Sequence, residues 1–156
     1  MVDDIRVLVM GAHPDDPDIR AGGTAALFRK MGHTVKLVSL TNGDAGHQNA
    51  SGAILARRRR NEAGASGAVI GAEYITLDNH DGELEVTLVN RKEVIRIIRL
   101  FQPRIVITHR PNDYHPDHRY TSQLVQDAMY MVTVPNICPD VPHLMYNPVL
   151  MYMADN

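Results

Sequence analysis

Three short runs constrain this chain most: IRVLVMG at 5–11, VKLVSL at 35–40 and RIVIT at 104–108. Each is rich in β-branched residues and apolar along nearly its whole length. A strand with one solvated face alternates apolar and polar positions, so runs of this kind read as strands covered on both faces. Shorter strands are expected at 74–77 and 149–153. Helical segments fall between them. One spans 24–31 and stops at Gly32; a second spans 51–70, with Ser51 as N-cap and Gly71 as stop. A third spans 89–101, with Val94, Ile97, Ile98 and Phe101 on one stripe before Pro103 breaks it; a fourth runs from 117 to 132. Strand and helix alternate, which is the pattern of an α/β fold with a mainly parallel sheet and right-handed crossovers.

At 156 residues the chain suits one domain with one core. A net charge of −2 provides no basic field for nucleic acid. The single cysteine, Cys138, cannot form an internal disulfide and fits a reducing compartment. The apolar run within residues 1–10 is too short for a secretory signal and has Asp3, Asp4 and Arg6 around it. No stretch approaches the roughly 20 apolar residues needed to span a bilayer. The expectation is a cytoplasmic protein without a membrane span.

In parallel α/β sheets, chemistry collects outside the carboxyl ends of the strands, where the strand order switches. The loops there are 12–18, 41–47, 78–83 and 109–118, and they hold every concentration of His and Asp in the sequence. The first reads AHPDDPD, and Asp15 beside Asp16 is repulsive unless a cation or proton offsets it. The last contains NDYHPDH. Hydrolytic zinc sites take three His or Asp/Glu ligands and leave one position for water; His13, Asp16 and His118 supply such a set. Taken singly, these residues read more plainly. A lone His is a polar loop residue, Asp117 caps the helix after it, and Asp18 or Thr24 caps the first helix. Two proline-stiffened, His/Asp-dense loops converging on one sheet edge favour the metal reading.

The segments AHPDD at 12–16, GGT at 22–24, TNGDAGH at 41–47 and HPDH at 115–118 resemble the PIG-L/LmbE-like zinc-dependent de-N-acetylase family. That family includes deacetylases of N-acetylglucosaminyl-phosphatidylinositol and of the mycothiol and bacillithiol precursors. The resemblance implies a Rossmann-like three-layer α/β/α sandwich and one zinc per chain, with Fe²⁺ or another divalent ion as substitute. It makes His13, Asp16 and His118 the metal ligands and Asp15 the general base. His115 becomes the residue that supports the oxyanion, and either it or Asp15 gives the leaving amine its proton. Arg59, in an R-x-x-E with Glu62, and Asp81, in a D-G after the third strand, become substrate-binding residues. Arg57, Arg58 and Arg60 read instead as solvated helix charges with Glu62 as a partner, since consecutive helical residues point about 100° apart. Asp81 reads equally as a turn residue before Gly82. His33, His47, His80, His109 and His143 read as structural or exposed, with His109 nearest the site.

The chain departs from the family pattern in having Asp18 for Glu and Ala21 for Cys. Family members also usually continue further. A single catalytic domain over 1–156 without the usual C-terminal part is therefore expected. The Met- and Pro-rich stretch 129–153 would then expose apolar surface suited to a missing segment or to another subunit, as in a homo-oligomer. The expected function is a metal-dependent amidohydrolase that removes acetyl from an N-acetylglucosamine-type conjugate, its partner being that small molecule. One alternative is a metal-dependent phosphoesterase, with Asp44 and Asp113 building a second metal position. Another is a non-catalytic Rossmann-like sugar- or cofactor-binding module, against which stands the absence of G-x-G-x-x-G after the first strand.

Overall fold

The computed structural model describes residues 4–154; the Asp3 flank of the first strand lies outside them. Its strands are β1 (Arg6–Gly11), β2 (Thr34–Thr41), β3 (Glu73–Asn79), β4 (Ile105–Thr108) and β5 (Val149–Tyr152). They alternate with α1 (Asp16–Lys30), α2 (Gly52–Val69), α3 (Leu88–Phe101) and α4 (Pro116–Met131). All strands pair in parallel in the order β3-β2-β1-β4-β5, so the fold is α/β as expected. No helix among the described residues is long and apolar enough to cross a membrane.

Burial explains why the strands lack alternation. In β1, Leu8 and Met10 face a core closed by Val94, Ile95 and Ile98 of α3 and by Leu124, Val125 and Ala128 of α4. Val7 and Val9 face the opposite layer, where Ala21 and Ala25 of α1 pack with Val35 and Leu37. All four β1 residues are fully buried, and each such side chain contributes roughly 1.5–3 kcal/mol. On the β3 side, α2 approaches so closely that a Cβ at Gly67 would lie 2.7 Å from the Ala72 carbonyl oxygen. At the other edge, Val149, Met151 and Tyr152 of β5 are exposed, in line with the apolar surface expected of that stretch.

Helix starts differ from the sequence expectations. The first helix begins at Asp16, not Thr24, because Pro17 suits a first helical turn and Ala21 and Ala25 pack on the sheet on either side of Gly22-Gly23. Neither Asp18 nor Thr24 caps it: Asp15 occupies the N-cap position, without a side-chain capping bond. Ser51 likewise sits at the N-cap of α2 without a capping bond. Asp117 does not cap α4; the His115 imidazole does, accepting from the Asp117 N–H.

A buried cation also lies against the apolar core. Arg99 on α3 is 1% exposed, and its guanidinium donates to the carbonyls of Met131, Val132, Val134, Ile137, Cys138 and Val141. The loop after α4 is thus held by a cation bonded to carbonyl oxygens. Arg99→Met keeps the apolar stem and strands those acceptors, so unfolding free energy should fall by about 3 kcal/mol or more. Urea denaturation checks this; a loss under about 1 kcal/mol would show that the carbonyls find water instead.

Candidate metal centre and active site

The chain runs outward from β1 through β2 to β3, then returns to β4 on the other side of β1, so the order reverses between β1 and β4. The loops leaving these two strands share that crevice. At the end of β1 only glycine fits. A Cβ on Gly11 would lie 2.6 Å from Pro17 Cδ and 2.7 Å from Asp16 Cβ. The first turn of α1 therefore folds back onto the strand end and carries Asp16 inward.

Asp16 is the most connected group of the crevice. Its Oδ2 accepts from the N–H groups of Ala12 at 3.0 Å and His13 at 2.7 Å. The same oxygen lies 3.2 Å from His13 Nδ1 and 3.1 Å from His109 Nε2, while Oδ1 lies 3.4 Å from His118 Nε2. Burial alone would push its carboxyl pKa up; the imidazoles of His109, His118 and His13 overcome this and hold it far below the usual carboxylate range. Burial opposes charge on His13 too, but Asp117, Asp16 and Asp81 raise its pKa to about 12. His13 Nε2 lies 3.1 Å from Asp81 Oδ1 and 3.3 Å from Asp117 Oδ2.

His118 is oriented from behind. Its Nδ1 lies 3.0 Å from Asp113 Oδ1, which also accepts from the His115 N–H at 3.1 Å. Burial disfavours the Asp113 carboxylate, and these two donors more than offset that, leaving its pKa lowered. Burial opposes charge on His118, but Asp16 at Nε2 and Asp113 at Nδ1 more than offset this and raise its pKa. Such carboxylate-backed imidazoles are common metal ligands. His115 uses Nδ1 to accept from the Asp117 N–H at 3.2 Å, so its neutral form carries the proton on Nε2. Burial first, then His13 and His118, lower its pKa.

The seven residues singled out from sequence, His13, Asp15, Asp16, Arg59, Asp81, His115 and His118, all line one open cavity of about 310 Å³, a size typical of small-ligand sites. Arg59 reaches across to Asp15, Nη2 to Oδ2 at 2.7 Å, and also meets Glu62 at 3.2 Å. Arg58 pairs with Glu62 and Arg60 with Asp78, as solvated helix charges would. Asp81 is more than a turn residue, since it touches His13. Among the described residues, three groups bring possible ligand atoms within 4.8 Å: His13, His115 and His118; Asp16, His109 and His118; His13, Asp81 and Asp117. His13, Asp16 and His118 are spread over these groups, with Asp16 contacting both imidazoles. Asp117 Oδ1 is buried without a hydrogen-bond partner. Convergent imidazoles and carboxylates, with one orphaned oxygen, fit a divalent cation.

Four residues were assigned other parts by the sequence. His109 is buried against Asp16 and stacks on His118, ring centroids 4.0 Å apart. His109 Nε2 lies 3.1 Å from the Ala12 backbone nitrogen and 3.1 Å from Asp16 Oδ2, so it accepts from the former or donates to the latter according to its tautomer. Its place immediately after β4, beside the switch point, was the available signal. Asp113 backs His118, and Asp117 accepts from the Gly82 N–H at 2.7 Å. Asp44 is engaged with His80 Nδ1 at 2.7 Å and the Asp81 N–H at 3.1 Å.

The chain is 36% identical over 137 residues to the diacetylchitobiose deacetylase of Thermococcus kodakarensis, covering 84% of this chain and 51% of the relative. It is 30% identical over 129 residues to the 4-oxalmesaconate hydratase of Pseudomonas putida, covering 78% of this chain and 50% of the relative. The solved N,N'-diacetylchitobiose deacetylase of Pyrococcus horikoshii superposes with a TM-score of 0.90 at 29% identity, over 99% of this chain and 62% of that one. The chain thus spans about half the length of the curated relatives it matches. The model of the family described as "PIG-L: GlcNAc-PI de-N-acetylase" matches residues 8–129, and the chain belongs to that family.

Proposed function

We propose that this chain carries the hydrolytic centre of a metal-dependent N-deacetylase acting on an N-acetylglucosamine-type sugar conjugate. The observation that carries the reading is the Asp16 carboxylate contacting His13 and His118, with Asp15 and His115 on the same cavity. His13, Asp16 and His118 are the proposed ligands, and zinc the ion that two imidazoles and one carboxylate suit. A divalent ion held there supplies Lewis acidity, lowering the pKa of water and polarising the acyl oxygen.

This chain's own groups do the remaining work. Asp15, half-exposed at the start of α1 and oriented by Arg59, accepts the proton of the attacking water. His115, with Nδ1 fixed as a helix-cap acceptor, offers its Nε2–H to the developing oxyanion. The C–N bond breaks as the proton held by Asp15 passes to the leaving nitrogen, giving acetate and a free amine. Asp81 is placed to meet sugar hydroxyls from the loop after β3. The phosphoesterase reading loses support because, among the described residues, neither Asp44 nor Asp113 belongs to any of the three groups of converging ligand atoms. A reducing cytoplasmic setting fits Cys138, which is buried and free.

Two outcomes are expected. Asp15→Asn should keep its metal but lower turnover by roughly 10²–10⁴-fold, whereas Asp16→Asn should lose metal on dialysis. Metal content and kcat read together check this, and the opposite pattern would exchange the two roles. Metal-loaded protein should also release amine from N-acetylglucosaminides. Assayed side by side, phosphate from phosphomonoesters, or water addition to an unsaturated tricarboxylate without amine release, would overturn the deacetylase reading.

A further inference from the structure

The cavity lining is mostly charged or imidazole, with two large exceptions, Tyr114 and Ile19, which are 72% and 69% exposed. Singly exposed apolar side chains are ordinary, but Tyr114 is also fixed in place. The Arg119 guanidinium donates to the carbonyls of Asp113 at 2.7 Å and Tyr114 at 3.1 Å. The phenol ring stands edge-on to His115, centroids 6.0 Å apart at 87°, and to His118, 5.5 Å apart at 72°. Between Asp113, which orients His118, and His115, the loop thus presents a pinned aromatic to the cavity. Among the residues lining the cavity, Tyr114 is the one with a phenyl-type ring.

We propose that Tyr114 is the platform for the substrate's pyranose ring and so a specificity-determining residue; this rests on the sugar-amide reading above. A pyranose has a C–H face bearing slight positive charge and a rim of hydroxyls. An aromatic face carries the complementary negative charge. With the C–H face on Tyr114, the hydroxyl rim meets the polar remainder of the lining, Asp81 and Arg59 among it. A linear acetamide has no such face and gains nothing from Tyr114.

The test compares binding of N-acetylglucosamine and N-acetylethanolamine, which share the amide but not the ring, by saturation-transfer NMR. Tyr114→Ala should weaken N-acetylglucosamine binding by about tenfold and leave N-acetylethanolamine unchanged. Tyr114→Phe should restore most of the loss, because the ring rather than the hydroxyl does the stacking. Circular dichroism checks that each variant is folded. Unchanged sugar binding in Tyr114→Ala, equal loss of both ligands, a Phe variant as weak as Ala, or no sugar binding by the parent protein would each overturn the proposal. Ring-dependent binding without amine release would sink the deacetylase reading and leave the platform standing.

Discussion

An ionised carboxylate buried in a protein interior is tolerable only when donors or cations surround it, and Asp16 is surrounded on every side. Two backbone N–H groups, from Ala12 and His13, point at one of its oxygens, and the imidazoles of His13, His109 and His118 close the shell. Its place in the first turn of α1 adds the favourable end of the helix dipole. Gly11 and Pro17 are the local conditions for this: one leaves room for the turn, the other starts it.

Around that group, carboxylates brace the loops against one another. Asp113 joins His118 to the His115 backbone, Asp117 ties α4 to Gly82 after β3, and Asp44 ties the loop after β2 to His80 and Asp81. Loops from different strands are thereby held at one sheet edge. A site of this kind needs its supporting hydrogen bonds as much as its reacting groups. On the far side of the core, Arg99 holds the loop after α4 through carbonyl oxygens alone, so the same economy of buried charge recurs away from the chemistry.

The strands were legible because burial on both faces leaves a plain mark: Val7, Leu8, Val9 and Met10 have no polar neighbour to alternate with. The crevice followed from topology, and the seven residues singled out meet in one cavity. What sequence hides is direction. Asp117 looks like a helix cap, yet its carboxylate turns to Gly82 and His13, while His115, read as catalytic, also does the capping. His109 looks like a loop histidine until pairing β4 with β1 sets it against Asp16. Arg99 sits beside an apolar stripe, and nothing in the local pattern announces that its partners are carbonyls more than 30 positions further on. Glycine pairs mislead in the opposite way: Gly22-Gly23 weakens the helical signal, but packing on the sheet carries α1 through it.

The central claim, that Asp16 gathers His13 and His118 around one divalent ion, is tested most directly by anomalous X-ray scattering at the zinc edge. Crystals of this chain grown with one equivalent of zinc should show a single strong peak, with donor atoms of His13, Asp16 and His118 about 2.0–2.2 Å away. A peak held instead by His13, Asp81 and Asp117, the other acidic grouping of the crevice, would contradict the account.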